Sequence, residues 1–287
     1  MQVIINADDF GRSLSINAAV IQAHTQGILT SASLMVGGEA FDDAVRLACD
    51  HPSLAIGLHL VVSNGRATLP PQSIPDLVTS DGYFSSSPLR AGLAYYFSPR
   101  HRSQLEQEIH AQFERFVAAS LPLSHVDGHL HLHMHPTVFK LLLPLAQRYG
   151  ANGVRLPHDD LWLALRHDPS GVVTKTAWAF VFSWLARWSR PRLQHAGLIS
   201  PKRVYGLMQS GKMHVDYVSK VLNSLQEPSA ELYFHPDQAS NQEIYGPNLG
   251  DLQALISPQV AAILAERSIQ RITYAQLKLE SQDVHGC

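Results

Sequence analysis

Apolar positions along the chain alternate between short continuous runs and longer stretches with helical spacing. Val3–Ala7 reads as a strand buried on both faces, followed by a helix over Ser13–Gln26 that Gly27 should close in the left-handed conformation. Ile28–Val36 and Leu54–Val62 (LAIGLHLVV) are the second and third strands, separated by a helix whose apolar face is Phe41, Ala44, Val45 and Ala48. SNGRATLPPQSIPDLVTSDGYFSSSP, residues 63–88, is too rich in Pro, Gly and Ser for regular structure. Ser103 with Glu106 forms a capping box for a helix striped by Leu105, Ile109, Phe113, Phe116 and Val117.

The spacing next predicts a strand at His125–His131, a helix from Pro136 to near Gly150 and a strand at Gly153–Pro157. Residues 161–225 are mostly helical by pattern, Glu231–His235 is a strand, Ser257–Pro258 opens a helix and Ile269–Tyr274 is a last strand. With neither a repeat nor a linker, 1–280 is expected to be one barrel domain carrying a hydrophobic helical insertion at 161–225, with 281–287 a mobile tail.

Strand-then-helix repetition implies an α/β fold of parallel strands, in a TIM-like barrel or a doubly wound sheet. The polar residues choose between them. Asp8 and Asp9, His59, His129 and His131, Arg155 and His235 each lie toward the C-terminal end of a strand. In a barrel those ends share one rim, whereas an open sheet would keep the outer ones apart.

Composition narrows the function. A formal net charge of -2 gives no electrostatic case for nucleic acid as a partner. Two cysteines, Cys49 and Cys287, imply neither a disulfide framework nor a thiolate site. A reducing, cytoplasmic setting is expected, since no basic-then-apolar leader opens the chain. Histidine is the outlier, at sixteen.

HVDGHLHLHMHP, residues 125–136, holds five of them. In an extended strand Asp127, His129, His131, His133 and His135 would share a face, a pattern that favours a metal or catalytic site over a merely polar surface. A catalytic site keeps about three protein ligands and an open position, so not all five can ligate. His59 and His235 gain weight from falling at the same rim. Arg155 would be a buried cation in need of a carboxylate, and Asp8 or Asp9 is the natural one. The adjacent aspartates of NADDFG cannot be a kinase metal motif, because no glycine-rich or catalytic loop precedes them. A divalent cation held by one aspartate and two histidines, with the arginine at the other aspartate, makes the pair tolerable. It also leaves a base, and with a histidine acid it equips a site to hydrolyse an amide or ester.

NADDFG, LTSASLMVGG, GLHL, the H-x-D-x-H-x-H-x-H run and the late FHP resemble the YdjC-like carbohydrate deacetylase family. LTSASLMVGG, GLHLVVSNGRATLPP and IPDLV are similar to its hopanoid-biosynthesis-associated (HpnK-type) branch. The resemblance implies a distorted (β/α) barrel and removal of the acetyl group from an N-acetylglucosaminyl hopanoid or a chitooligosaccharide. It implies metal ligands Asp9, His59 and His129, Asp8 as base, His235 as acid, Arg155 orienting Asp8, and His131, His133 and Asp127 in the pocket or behind the ligands. His129 and His133 also have the H-x-x-x-H spacing of other polysaccharide deacetylases, so His59 and His133 compete for one place. One carboxylate and two imidazoles suit zinc, cobalt or iron, while the family is commonly described with magnesium.

All four tryptophans, Trp162, Trp178, Trp184 and Trp188, lie in one segment, three of them in VVTKTAWAFVFSWLARW. A core helix and a homodimer contact are the plain readings. The functional one is an interfacial helix in which Trp178 and Trp184 receive the apolar part of a glycolipid, with peripheral contact to the inner face of a membrane. A non-catalytic lipid-binding protein with a structural metal is the alternative from another class.

Overall fold

A computed structural model describes residues 1–239 and 246–277. The expected tail at 281–287 lies outside them. The strands are β1 (Gln2–Phe10), β2 (Ser31–Leu34), β3 (Ala55–Leu60), β4 (His125–Gly128), β5 (Gly153–Val154), β6 (Arg203–Tyr205), β7 (Ser229–Phe234) and β8 (Gln270–Ile272). The helices are α1 (Leu14–Gln26), α2 (Phe41–Asp50), α3 (Pro88–Phe97), α4 (Pro99–Ala118), α5 (Pro136–Arg148), α6 (Leu161–His167), α7 (Val172–His195), α8 (Val215–Ser224), α9 (Leu249–Leu255) and α10 (Pro258–Glu266).

All strand pairs are parallel, in the order β5-β4-β3-β2-β1-β7-β6, with β8 joining the start of β1. Between the end strands, isolated bridges at Gly153–Ile199 and His158–Val204 draw the curled sheet toward closure. The result is the distorted α/β barrel that the alternation implies. Alternate residues of β1 divide the interior. Val3, Ile5 and Ala7 face the large apolar core beneath the helices, while Ile4 joins a small plug of Ile272, Tyr274 and Leu277.

Several expected boundaries move. The strand read at His125–His131 stops at Gly128, and a 3₁₀ turn, His129–Met134, follows with Leu130 and His131 in the left-handed region at φ 53° and 55°. Strict alternation of the histidines therefore fails beyond Gly128. The helix read from Ser103 starts at Pro99 with Ser98 as its cap, and α3 precedes it behind Ser87. Both starts carry the same Ser-Pro signature that marks α10. Val117 is exposed rather than part of the α4 stripe. Gly27 is not left-handed, its φ being -133°; a Cβ there would lie 2.3 Å from the Leu255 carbonyl oxygen, so packing demands the glycine. The largely helical 161–225 segment also supplies a strand, β6.

The 63–88 loop is irregular, as its composition implies, yet anchored. Glu108 on α4 accepts from the backbone N–H groups of Thr68 and Leu69, and Gln112 makes two bonds to the Val61 backbone.

Candidate active site

A regular strand would send Asp8 and Asp9 to opposite faces. The β1–β2 register instead shifts between Ala7 and Phe10, and Asp9 takes φ 65°. This bulge brings two consecutive carboxylates to one rim. Both are buried, and each has its own partners.

Asp8 receives Arg155 bidentately, at 2.7 and 2.8 Å, and the Asn6 amide at 2.9 Å. Arg155, wholly buried, also reaches Asp127 at 2.8 Å and Glu231 at 2.8 Å, and lies 4.6 Å over the Tyr233 ring. Burial works against its charge, but Asp127, Asp8 and Glu231 hold the guanidinium firmly protonated. Burial pushes the Glu231 carboxyl up, while Tyr274 donates to it at 2.6 Å.

Asp9 meets two imidazoles. Its Oδ1 lies 3.2 Å from His129 Nδ1 and 3.4 Å from His59 Nε2, and Arg12 approaches its Oδ2 at 3.1 Å. Burial alone would raise Asp9; His129 and His59 overcome it and hold the carboxyl well below the usual range. The other face of His59 is fixed by Asp127, whose Oδ1 accepts from Nδ1 at 2.8 Å. That bond directs the second ring nitrogen toward Asp9, and His59 Nε2 is buried without a hydrogen-bond partner. Burial disfavours the His59 cation, yet Asp127 and Asp9 raise the group to about 10. The cluster thus holds positive charge strongly, and the donor atoms of Asp9, His59 and His129 lie within 4.8 Å of one another. Asp8, His59 and Asp127 satisfy the same spacing, but Arg155 already claims two of those carboxylates.

The structure therefore brings Asp8, Asp9, His59, His129, Asp127 and Arg155 into one cluster. His235, just beyond β7, stands with Nε2 3.9 Å from Asp8 Oδ2, held by a bond from its backbone N–H to Asp251. His133 turns its Nε2 to the Arg155 carbonyl oxygen, 2.9 Å away, whereas His59 Nε2 lies 3.4 Å from Asp9. His131 bonds through Nε2 to the Tyr233 hydroxyl at 2.8 Å and has its ring 5.7 Å from Phe182 of α7. Trp178 is half-buried against a satellite cluster of Ala164, Leu207 and Met208, and Trp184 is 51% exposed. The α7 ring that meets a site histidine is Phe182.

Sequence reasoning missed Asn6, Ser33, Glu231, Tyr233 and Tyr274. Strand periodicity holds the signal for most of them. Asn6 with Asp8, and Glu231 with Tyr233, are alternate residues of one strand, as are Ser31 and Ser33 of β2. Ser33 donates to Asp127 at 2.6 Å and accepts from Asn6 at 2.8 Å, tying the strands beneath the rim.

A family profile described as YdjC-like protein matches residues 2–266. A carbohydrate deacetylase of Geobacillus stearothermophilus is 32% identical over 95% of this chain and 96% of its own. A chitooligosaccharide deacetylase of Serratia marcescens is 30% identical over 92% and 94%. A carbohydrate deacetylase of Brevibacillus brevis is 41% identical, but that match spans only 57% of this chain and 60% of the relative. Among solved structures, one from Enterococcus faecalis V583, provisionally named for cellobiose-phosphate cleavage, superposes with a TM-score of 0.71 at 22% identity, over 97% of this chain and 99% of that one. That likeness concerns the fold.

Proposed function

Because the chain belongs to the YdjC-like protein family, we propose that it is a metal-dependent carbohydrate N-deacetylase, hydrolysing the acetamido group of an N-acetylated sugar to acetate and the free amine. One observation carries the reading: Asp9, His59 and His129 converge beside a second carboxylate, Asp8, that is held separately by Arg155.

The donors fit a divalent metal. His59 Nε2 is buried and unpartnered, and the Nδ1 bond to Asp127 turns it toward Asp9. One carboxylate and two imidazoles favour zinc over magnesium, which prefers oxygen ligands. What such a cation supplies is polarisation of the acetyl carbonyl and a more acidic water.

The chain's own residues do the proton work. Asp8 takes the proton of the attacking water, with Arg155 fixing both carboxylate oxygens in place. As the carbonyl carbon gains its bond to the water oxygen and loses the one to nitrogen, His235 passes a proton to the departing amine. His131 and Tyr233 form a neutral wall beside them, since burial drives the His131 imidazole well below its ordinary value.

For the substrate we favour an N-acetylglucosaminyl glycolipid, specifically a hopanoid glycoside. The exposed apolar side of α7, the helix whose inner Phe182 meets His131, supports that choice. The name of the Serratia relative favours a second reading, a soluble chitooligosaccharide. Acetate release by metal-stripped and reloaded protein separates them. Metal-dependent release from the lipid alone supports the first reading and release from chitobiose the second. No release from either with any cation contradicts the deacetylase reading for both substrates.

A further inference from the structure

Three helices beside the site, α3, α5 and α7, contain no Asp or Glu, although the chain has 24. They form a continuous surface. α3 packs on α5 and α5 on α7, while α3 and α7 both touch the turn that carries His129 and His131. Its exposed charges are basic: Arg90 on α3, Lys140 and Arg148 on α5, Arg187 and Arg192 on α7. Beyond α3, Arg102 continues the pattern, while Arg100 is paired with Asp76.

Two exposed apolar stripes lie among these charges. Leu89, Leu93, Tyr96 and Phe97 recur at helical spacing on the side of α3 opposite its buried Ala91, Gly92 and Tyr95. On α7, Val173, Phe180 and Trp184 follow one line, and Arg187 ends it. Phe97 and Phe180 are each 72% exposed, a heavy apolar load to leave in water.

We propose that this surface docks the protein on an anionic lipid bilayer. Aromatic rings flanked by arginines suit the headgroup boundary, where the rings enter the apolar zone and the long cations reach back to phosphates. Among the described residues no helix is long and apolar enough to cross a membrane, so the contact is interfacial. The charge pattern selects lipid over a second copy of the chain. A two-fold contact sets the same basic residues against one another, whereas an anionic surface turns each of them into an attraction. The inference rests on these surface residues and not on the reading of the site, and its test needs no turnover.

The test is flotation of the full chain with vesicles of phosphatidylcholine alone and of phosphatidylcholine with phosphatidylglycerol. The protein should float with the anionic vesicles, less as salt is raised. Arg90→Gln with Arg187→Gln should weaken that binding roughly thirtyfold, about fivefold per charge. Phe97→Ser with Phe180→Ser should abolish it without lowering the unfolding temperature, since both rings are largely in solvent. Equal flotation with neutral vesicles, no flotation at all, or serine variants that float like the parent would overturn the proposal. A dimer that the serine variants dissociate, without vesicle binding, would assign the surface to a second copy instead.

Discussion

Inside the barrel, Arg155 is wholly buried among Asp8, Asp127 and Glu231; on α7, Phe180 and Trp184 stand in solvent. The two regions invert the usual relation of polarity to burial in opposite directions. Arg155 and its three carboxylates survive inside because each is paired, and removing one partner strands the others. Rings outside contribute little to the fold, so their presence calls for a role in binding rather than packing. A buried charge is thus informative through its network, an exposed ring through its neighbours.

The first prediction presses on the buried half. Arg155→Met leaves three carboxylates facing one another without a cation, and should cost about 3–5 kcal/mol of stability in denaturant unfolding. A loss below about 1 kcal/mol would mean that the cluster is not held by its charges. Next in size, Asp127→Ala removes the acceptor that fixes the His59 ring. Metal affinity should fall about 10–100-fold by calorimetric titration, and unchanged affinity would free His59 from the ligand role.

The pH response has a definite sign. Burial pushes His125 and His133 down to about 4, against about 6.5 for an imidazole in an unfolded chain. Protons therefore bind the unfolded chain first. Stability from these two neutral rings is complete above about pH 6.5 and is lost as pH falls toward 4, by up to about 1.4 kcal/mol per pH unit for each. His125 stacks on Tyr274 with centroids 4.5 Å apart, and His125→Phe should flatten the slope measured on metal-free protein. The smallest effect belongs to the outer region. Trp162→Ser, at a ring 71% exposed, should change stability by no more than about 0.5 kcal/mol, and a larger loss would show that the outer aromatics pack after all.

The sequence made the barrel legible because parallel strands buried on both faces read as apolar runs, and because its polar residues share one end of each strand. Periodicity pointed to Asp127 and His129, but not to the turn after Gly128, where Leu130 and His131 adopt positive φ. Nothing in HLHLHM distinguishes that turn from a continuing strand. The bulge between Ala7 and Phe10 was equally hidden, although it sets both aspartates on one rim. Arg155 announced itself as a cation needing a carboxylate, but one partner was expected where three are found. Glu231 sits in an apolar strand, ELYF, and its pairing depends on the β5 end being brought round beside β6 and β7, a relation fixed by closure rather than by local pattern.

The central claim is the division of labour between adjacent aspartates, Asp9 with the cation and Asp8 with the proton. Asp8→Asn separates them most directly, with metal stoichiometry and acetate release measured on the same preparation. One equivalent of divalent metal retained, with release slowed about 10²–10⁴-fold, is the predicted result. Full turnover with metal bound would contradict the assignment of the base, and loss of the metal itself would move Asp8 among the ligands.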